Sequence, residues 1–218
     1  MSAFDIGSPT KEATIFNHVG NKLVVGNREI DILAKYDEPL VVVLGSVLDD
    51  AECDALIELS REKLKRSKIG STREINDIRT SSGVFLTDVH DDTITRVEKR
   101  IADIIGIPVE HGEGLHILNY KPGQEYKEHF DYFAATSKSA ANNRICTVIL
   151  YLNDVEEGGE TYFPKLNLSV LPKKGSAVYF EYFYTNQELN ELTLHGGAPV
   201  VQGEKWIATQ WIRKQRVD

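Results

Sequence analysis

The stretch EKWIATQWIRK, residues 204 to 214, indicates the fold because its side chains alternate with the period of a β-strand. Four of them would share one face of that strand: Lys205, Ile207, Thr209 and Trp211. Short β-rich runs of this kind fill the chain from about residue 114 onward, and turn signals such as KPGQ and EEGGE separate them. The other clear runs are GLHILNY, RICTVILYLN, TYFP, LNLSV, GSAVYFEYFY, LTLHGG and APVVQ.

About eight strands within roughly 100 residues predict a sandwich or jelly roll. The preceding part of the chain has a different pattern, in which the apolar strand PLVVVLGS and the extended stretch IRTSSGVFL are each followed by an amphipathic helix. The two predicted helices are DDAECDALIELSREKLK and DDTITRVEKRIADIIG. We therefore expect a mainly β protein with flanking helices, of the α+β class, in which the helices cover one sheet.

The length of 218 residues suits one domain with a sizeable core. We expect 1–39 to form an N-terminal extension with a small hairpin, 40–112 to supply supporting strands and helices, and 113–218 to form the β core. A net charge of -8 argues against binding to nucleic acid or to anionic membranes. No apolar run approaches membrane-helix length and the first residues do not resemble a secretory signal, so we expect a cytoplasmic protein. The cysteines, Cys53 and Cys146, are expected to be buried free thiols.

The pattern His-x-Asp/Glu occurs three times, where chance alone would produce about one match. His90 and Asp92 lie where a helix begins, and Asp is common at helix N-caps. His111 and Glu113 surround a glycine, as in a turn. The third match, His129 and Asp131, lies in EYKEHFDYF, where i and i+2 positions of a strand would converge on one point with Phe130 facing away.

A carboxylate and an imidazole among aromatic side chains require a partner, because burying an unpaired charge costs several kcal/mol. A metal ion, an ion pair and a solvated surface site all remain possible from these residues alone. His195, in LTLHGGAPV, could complete two histidines and one carboxylate, a set suited to Fe(II) that must also bind other molecules. His116 is a competing third ligand, and His195 could instead be an ordinary core histidine.

Lys205 shares its predicted strand face with apolar residues. Such a lysine suggests a buried anion as its partner, because an ammonium is strongly hydrated and loses that hydration on burial. The alternative is a lysine at a sheet edge whose ammonium reaches solvent.

Three segments together resemble the catalytic domain of prolyl 4-hydroxylases, the closest likeness being to small bacterial members of bacillus type. The segments are YKPGQEYKEHFDYF, NNRICTVILYLNDVEEGGETYFPKLNLSVLPKKGSAVYF and LHGGAPVVQGEKWIATQW. The resemblance implies a double-stranded β-helix and a dioxygenase that uses Fe(II), 2-oxoglutarate and O2, with ascorbate as reductant. The implied reaction hydroxylates peptidyl proline at C4 and releases succinate and carbon dioxide.

The same resemblance implies roles for individual residues. His129, Asp131 and His195 match the iron ligands, while Lys205 matches the residue that binds the distal carboxylate of 2-oxoglutarate. The residues matching its hydrogen-bonding helpers are Tyr120 and Thr161, and those placed near the substrate proline are Tyr126, Arg144 and Trp211. The role implied for Tyr126 conflicts with a regular strand, because Tyr126 and His129 are three residues apart and would point to opposite faces of the strand.

The resemblance further implies a proline-containing partner, either collagen-like Gly-x-Pro repeats or a cytoplasmic protein, and a homodimer. Two alternative functions remain at this point. One is a related dioxygenase that acts on another amino acid, a small molecule or a nucleic acid base, the last being disfavoured by the acidic net charge. The other is a jelly-roll binding or metal-sensing module without turnover.

Overall fold

The computed structural model describes residues 12–67, 77–87 and 89–217. The α-helices within them are α1 (Asp50–Arg61), α2 (Asp92–Ile105) and α3 (Gln187–Leu192), and short 3-10 helices span Val109–His111, Lys138–Asn142 and Pro164–Leu166. The first strands are β1 (Lys22–Val25), β2 (Arg28–Asp37), β3 (Leu40–Gly45), β4 (Lys65–Arg66), β5 (Ser82–Phe85), β6 (His116–Tyr120) and β7 (Tyr126–His129). They are followed by β8 (Arg144–Tyr151), β9 (Glu157–Gly158), β10 (Thr161–Phe163), β11 (Leu168–Val170), β12 (Ala177–Glu181), β13 (His195–Gly197), β14 (Val200–Gln202) and β15 (Lys205–Arg213).

The two longer helices begin and end at residues suited to those positions. Asp49 caps α1, accepts a hydrogen bond from the amide of Glu52, and completes a capping box with the Glu52 side chain. Asp91 caps α2 by accepting from the amide of Thr93. Gly106 ends α2 with a φ of 71°, a left-handed conformation that glycine adopts without steric cost.

Most strands belong to one large sheet. Within the described residues this sheet has nine strands in the order β1-β2-β3-β12-β8-β15-β6-β5-β4. A second sheet has four strands in the order β11-β10-β13-β7, and β14 pairs with β9. β1 and β2 form an antiparallel hairpin at one edge of the large sheet.

Alternation along the central strands divides the interior into two cores. On β15, Trp206, Ala208 and Ile212 join an apolar cluster that includes the inner faces of α1 and α2. Ile207, between them, joins a second cluster that contains Phe163 of the small sheet. The helices therefore cover one face of the large sheet and the small sheet covers the other, which confirms the predicted jelly roll with supporting helices.

The structure contains an α-helix that the sequence did not predict. α3 is a six-residue helix inside the β-rich part of the chain, capped by the side chain of Asn186. Its Asn190 is buried and bonds both the amide and the carbonyl of Tyr184. Elsewhere, Cys53 and Cys146 are buried free thiols, as expected. Among the described residues, no helix combines the length and apolar character needed to cross a membrane.

Candidate metal and cosubstrate site

Two antiparallel strands of the small sheet bring two histidines together. His129 ends β7 and lies opposite His195, the first residue of β13. Asp131 lies two residues beyond the end of β7, in a bend. A bend after the strand, and not the strand pleat itself, therefore turns the carboxylate back toward the imidazoles.

The side chains of His129, Asp131 and His195 form a compact group between the sheets, which we call the metal cluster. His129 Nε2 lies 3.5 Å from Asp131 Oδ1, and His195 Nε2 lies 3.6 Å from Asp131 Oδ2. One ligand atom from each of the three residues can be chosen so that all lie within 4.8 Å of one another. The Asp131 and His195 side chains are almost fully buried, whereas His129 retains partial exposure.

Hydrogen bonds fix the two imidazole rings so that Nε2 of each faces the cluster. Nδ1–H of His129 donates to the carbonyl of Lys127 at 2.9 Å, and Nδ1–H of His195 donates to the carbonyl of Thr193 at 3.0 Å. This tautomer leaves the Nε2 lone pairs free to bind a metal, the usual arrangement for metal-binding histidines. Two neutral imidazoles and one carboxylate are a donor set that fits Fe(II).

The electrostatics of the cluster also suit a cation. Burial alone would raise the pKa of Asp131, but the nearby His195 and His129 outweigh it and hold that pKa well below its ordinary value. Burial lowers the pKa of His195 to about 4, with a further contribution from His129. At neutral pH the site therefore presents an ionised carboxylate and a neutral His195.

Side chains from the large sheet hold Asp131 in place. Thr147, on β8, donates its hydroxyl to Asp131 Oδ2 at 2.7 Å. Tyr182 OH lies 2.7 Å from the same Thr147 oxygen. Nη1 of Arg144 donates to the backbone carbonyl of Asp131 at 3.1 Å. The carboxylate is thus oriented by a hydrogen bond from the facing sheet, which the sequence pattern did not reveal.

A second group of residues lies in the same pocket as the cluster. Lys205, the first residue of β15, is buried, and its ammonium lies 5.6 Å from the ring centroid of Tyr120 and 5.9 Å from that of Tyr151. Burial lowers the pKa of Lys205 to about 8, against the opposing effect of Glu160. Thr161 also lines the pocket, and its hydroxyl accepts from Tyr151 OH at 2.8 Å.

One pocket joins the metal cluster to Lys205. The pocket is enclosed by Leu118, Tyr120, Ile149, Thr161, Ile207, Thr209 and Trp211 together with the metal cluster and Lys205.

The conflict over Tyr126 is resolved by an irregularity in the small sheet. His195 pairs with His129 and Gly197 pairs with Tyr126, so three steps along β7 lie opposite two steps along β13, which marks a β-bulge. The bulge turns Tyr126 to the same side as His129, and their rings stack at 3.5 Å between centroids. Tyr126 therefore lies in the pocket even though it belongs to the strand.

Arg79 is a pocket residue that the sequence analysis missed. It is buried, its guanidinium lies 4.7 Å from the ring centroid of Tyr126, and its Nε has no hydrogen-bond partner among the described residues. Its isolated position in IRTSSG carries no motif. Only the pairing of Arg79 with Tyr126 across a β-bridge reveals its proximity to the site.

Two residues expected near the substrate have different surroundings. Trp211 lines the pocket, and its buried indole N–H lacks a partner within the described part of the chain. Arg144 forms a two-pronged ion pair with Glu113, with both bonds at 2.8 Å, and stacks over Trp211 at 3.9 Å. The guanidinium of Arg144 is thus committed to Glu113 and to the Asp131 carbonyl, outside the pocket lining.

The competing histidines have other contacts. His116 stacks on Phe85, with ring centroids 4.0 Å apart, and is not part of the metal cluster. His111 Nδ1 lies 3.1 Å from the carbonyl of Arg213, while Glu113 pairs with arginines. The N-cap of α2 is Asp91 and not Asp92, which is the first residue of the helix.

A fold of two facing sheets that encloses two histidines, a carboxylate and a buried lysine defines the class of Fe(II)- and 2-oxoglutarate-dependent oxygenases. Residues 115–213 match the family model of the 2OG-Fe(II) oxygenase superfamily. Prolyl 4-hydroxylase 5 of Arabidopsis thaliana is 39% identical over 211 residues, which cover 85% of this chain and 72% of the relative. Probable prolyl 4-hydroxylase 10 of the same plant is 41% identical over 201 residues, covering 81% and 69%.

A crystal structure of the viral collagen prolyl hydroxylase of Paramecium bursaria Chlorella virus-1, in complex with 2-oxoglutarate, superimposes with a TM-score of 0.65 at 30% identity. The alignment covers 79% of this chain and 95% of the viral protein. A prolyl-4-hydroxylase from Pseudomonas putida, 18% identical, shares the fold with a TM-score of 0.57 over 80% and 92% of the two chains. The chain belongs to the prolyl 4-hydroxylase family and is a 2-oxoglutarate-dependent proline hydroxylase.

Proposed function

We propose that this enzyme hydroxylates C4 of proline residues within a peptide or protein. The observation that carries the proposal is the placement of His129, Asp131 and His195 in one pocket with the buried Lys205. When Fe(II) and 2-oxoglutarate are bound, they supply the oxidising chemistry that puts one oxygen atom of O2 into the substrate and the other into succinate, with release of carbon dioxide. The chain itself must hold, orient and shield these reactants.

His129, Asp131 and His195 would hold the iron from one side and leave its remaining positions open to other molecules. The fixed tautomers of both imidazoles and the hydrogen bond from Thr147 to Asp131 mean that little reorganisation accompanies binding.

Lys205 would bind the carboxylate of 2-oxoglutarate that lies farthest from the iron. An ammonium surrounded by apolar and aromatic groups gains an anionic partner at little further desolvation cost, because it has already lost its hydration. Tyr120 and Thr161 line the same part of the pocket and offer hydroxyl groups to that carboxylate. The Tyr151 hydroxyl, which donates to Thr161, orients this second hydroxyl.

Aromatic side chains would position the proline. Tyr126 lies against the metal cluster, and Trp211 offers a flat face and an indole N–H that has no partner among the described residues and can donate to a peptide carbonyl. Arg144 contacts both the substrate side and the metal side of the site, because it stacks on Trp211 and donates a hydrogen bond to the backbone carbonyl of Asp131. We keep the prediction that Arg144 lies near the substrate, and we propose that its main effect is on the positions of Trp211 and Asp131.

We further propose that the substrate is either a protein with collagen-like Gly-x-Pro repeats or a cytoplasmic protein, that ascorbate serves as reductant, and that the enzyme is a cytoplasmic homodimer. The first substrate class is supported by the similarity to the viral protein described as a collagen prolyl hydroxylase. The reductant, the cytoplasmic substrate and the homodimer rest on the resemblance to small bacterial prolyl 4-hydroxylases, and the cytoplasmic location rests on the sequence pattern described above.

The test is an incubation of the protein with Fe(II), ascorbate, 2-oxoglutarate and a panel of proline-rich peptides that includes Gly-x-Pro repeats. We expect succinate to form together with a mass gain of one oxygen in the peptide, located on proline by fragmentation. Turnover of 2-oxoglutarate with a free amino acid or small molecule, and with none of the peptides, would assign the oxygenase to a different substrate class. A lack of any oxygen-dependent loss of 2-oxoglutarate would reject the enzymatic proposal.

A further inference from the structure

A basic groove lies at the edge of the large sheet, next to the pocket. It has a volume of about 490 Å³. We define the basic groove by its lining residues, which are Lys63, Lys65, Arg66, Ser67, Gly83, Val84, Phe85 and His116. No carboxylate occurs among these described lining residues, although the whole chain carries a net charge of -8. The groove is therefore a local exception to the acidic character of the protein.

Strand register places the groove on the same sheet face as the pocket. Ile207 pairs with Leu118, Leu118 pairs with Gly83, and Gly83 pairs with Lys65. Residues paired directly across antiparallel strands point to the same side of a sheet. One row of side chains therefore leads from Ile207 and Leu118, which line the pocket, to Lys65 at the sheet edge.

Gly83 has no side chain of its own in this row. A Cβ atom at this position would lie 2.6 Å from Leu118 Cδ2 and 2.9 Å from His116 Nε2, so the side chains of Leu118 and His116 occupy the space above its backbone. The row is therefore continuous, because Leu118 and His116 cover β5 between the pocket and Lys65.

A ladder of aromatic rings runs alongside that row. Trp211, in the pocket, lies 5.6 Å from His116, and His116 stacks on Phe85 with an interplanar angle of 2°. Phe85 is 43% exposed. Burial lowers the pKa of His116 well below its ordinary value, so the ring is neutral and the positive charge of the groove comes from its lysines and arginine. The ladder provides a continuous apolar surface from the site of hydroxylation into the groove.

We propose that the basic groove binds an acidic side chain of the peptide substrate, on one side of the proline that is hydroxylated. The proposal rests on the proposed function, because the peptide enters the groove only if its proline occupies the pocket. Lys63 and Lys65 are exposed, and Arg66 is partly fixed because it donates to the carbonyls of Arg79 and Ser81. Since the groove lies at one end of the pocket, the preference for an acidic residue is one-sided.

The experiment measures peptide binding separately from turnover. Fluorescently labelled peptides with one proline in a neutral host sequence carry a single Glu, or a single Lys, at each of three positions before and after the proline. Binding is followed by fluorescence anisotropy with the Fe(II) and 2-oxoglutarate complex under nitrogen, which prevents hydroxylation. We expect Glu on one side of the proline to strengthen binding about fivefold and Lys there to weaken it, as for a single partly exposed ion pair.

Two charge reversals of equal size locate the effect. Lys65→Glu should abolish the preference for Glu and favour Lys at the same peptide position. Lys99→Glu, on the exposed surface of α2, changes the net charge equally and should retain the original preference. No preference for Glu, an equal preference on both sides of the proline, or a preference that survives Lys65→Glu would overturn the proposal.

Hydroxylation of the same peptides in air distinguishes this proposal from the proposed function. Binding with the expected one-sided preference but without hydroxylation would contradict the function and leave the groove assignment standing. Hydroxylation of neutral and acidic peptides with the same KM, together with equal binding, would contradict the groove assignment and leave the function standing.

Discussion

The hydroxyl of Thr147 donates a 2.7 Å hydrogen bond to Oδ2 of Asp131, across the space between the two sheets. Thr147 belongs to β8 of the large sheet, whereas Asp131 follows β7 of the small sheet. The metal cluster is therefore in contact with both sheets. Its histidines belong to the small sheet, whereas the hydrogen bond that orients its carboxylate comes from the large sheet.

Thr147→Val should weaken Fe(II) binding about 10-fold to 100-fold, as is typical for loss of a hydrogen bond to a metal-binding carboxylate. The substitution keeps the shape of the side chain and removes the hydroxyl, which donates to Asp131 and accepts from Tyr182 OH. Calorimetric titration with Fe(II) under nitrogen measures the effect. Thr147→Ser retains the hydroxyl and should bind iron with nearly wild-type affinity, and a Val variant as tight as the Ser variant would contradict the role of this bond.

Asp131→Ala should abolish stoichiometric iron binding, because the two remaining imidazoles provide neither the third ligand nor the negative charge. Metal content after anaerobic reconstitution and desalting measures the loss. Asp103→Ala, which removes an exposed carboxylate on α2, is the matched control and should bind one equivalent. Full occupancy in the Asp131→Ala protein would refute the assignment of the metal cluster.

The affinity for 2-oxoglutarate should fall as the pH rises above about 8, because the pKa of Lys205 in the free enzyme is lowered to about 8 by burial. Only the ammonium form pairs with a carboxylate, so affinity should decrease about tenfold for each pH unit until the higher pKa of the complex is reached. Calorimetry between pH 7 and 9.5 measures this slope.

Two variants test whether Lys205 causes the slope. Lys205→Ala should weaken 2-oxoglutarate at every pH and remove the dependence, while iron binding is retained. Lys205→Arg keeps its charge throughout this pH range and should give a flat profile at lower affinity. A wild-type profile that stays flat to pH 9.5 would show that another group binds the distal carboxylate.

Glu181 should make the stability of the protein pH-dependent. Burial raises the pKa of this carboxyl, although its Oε1 accepts hydrogen bonds from Tyr179 and from the amides of Ile15 and Phe16. A raised pKa means that the folded protein binds the proton more tightly than the unfolded chain. The stabilisation is complete below the unfolded pKa and is lost as the pH rises through the folded value.

The free energy of unfolding should therefore fall between about pH 4 and neutral pH by more in the wild type than in Glu181→Gln. Urea denaturation of both proteins at several pH values measures the difference. Curves that remain parallel across this range would rule out a raised pKa at Glu181.

Much of the fold could be predicted because periodicity is a local property of the sequence. The alternation in β15 and the helical spacing in α2 correspond directly to the faces that these elements bury. α3 escaped prediction because six residues are too short to show a helical period. Its stability comes from its Asn186 cap and from the contacts of Asn190 with Tyr184.

The residues of the candidate site could be predicted only where the local sequence around them is distinctive. His129 and Asp131 share a short pattern, His195 and Lys205 were candidates because of the segments that contain them, and the resemblance to a known family assigned their roles. Thr147, Tyr151 and Arg79 reach the site through pairings between distant strands, which leave no mark in local spacing. Tyr126 was ambiguous for the opposite reason: the β-bulge changes which way it faces, and a bulge depends on the partner strand.

β15 carries Lys205 and Trp211 on one face and core residues such as Trp206 and Ala208 on the other. Inserting or deleting a single amino acid there would exchange the two sets, sending an indole into the cosubstrate cleft and an ammonium beneath the helices. Lys205 therefore cannot change its position along β15 without also reversing which side chains of the strand form the core. We therefore expect that substitutions which alter substrate preference occur mainly at the edges of the sheets, where they leave the site residues in place.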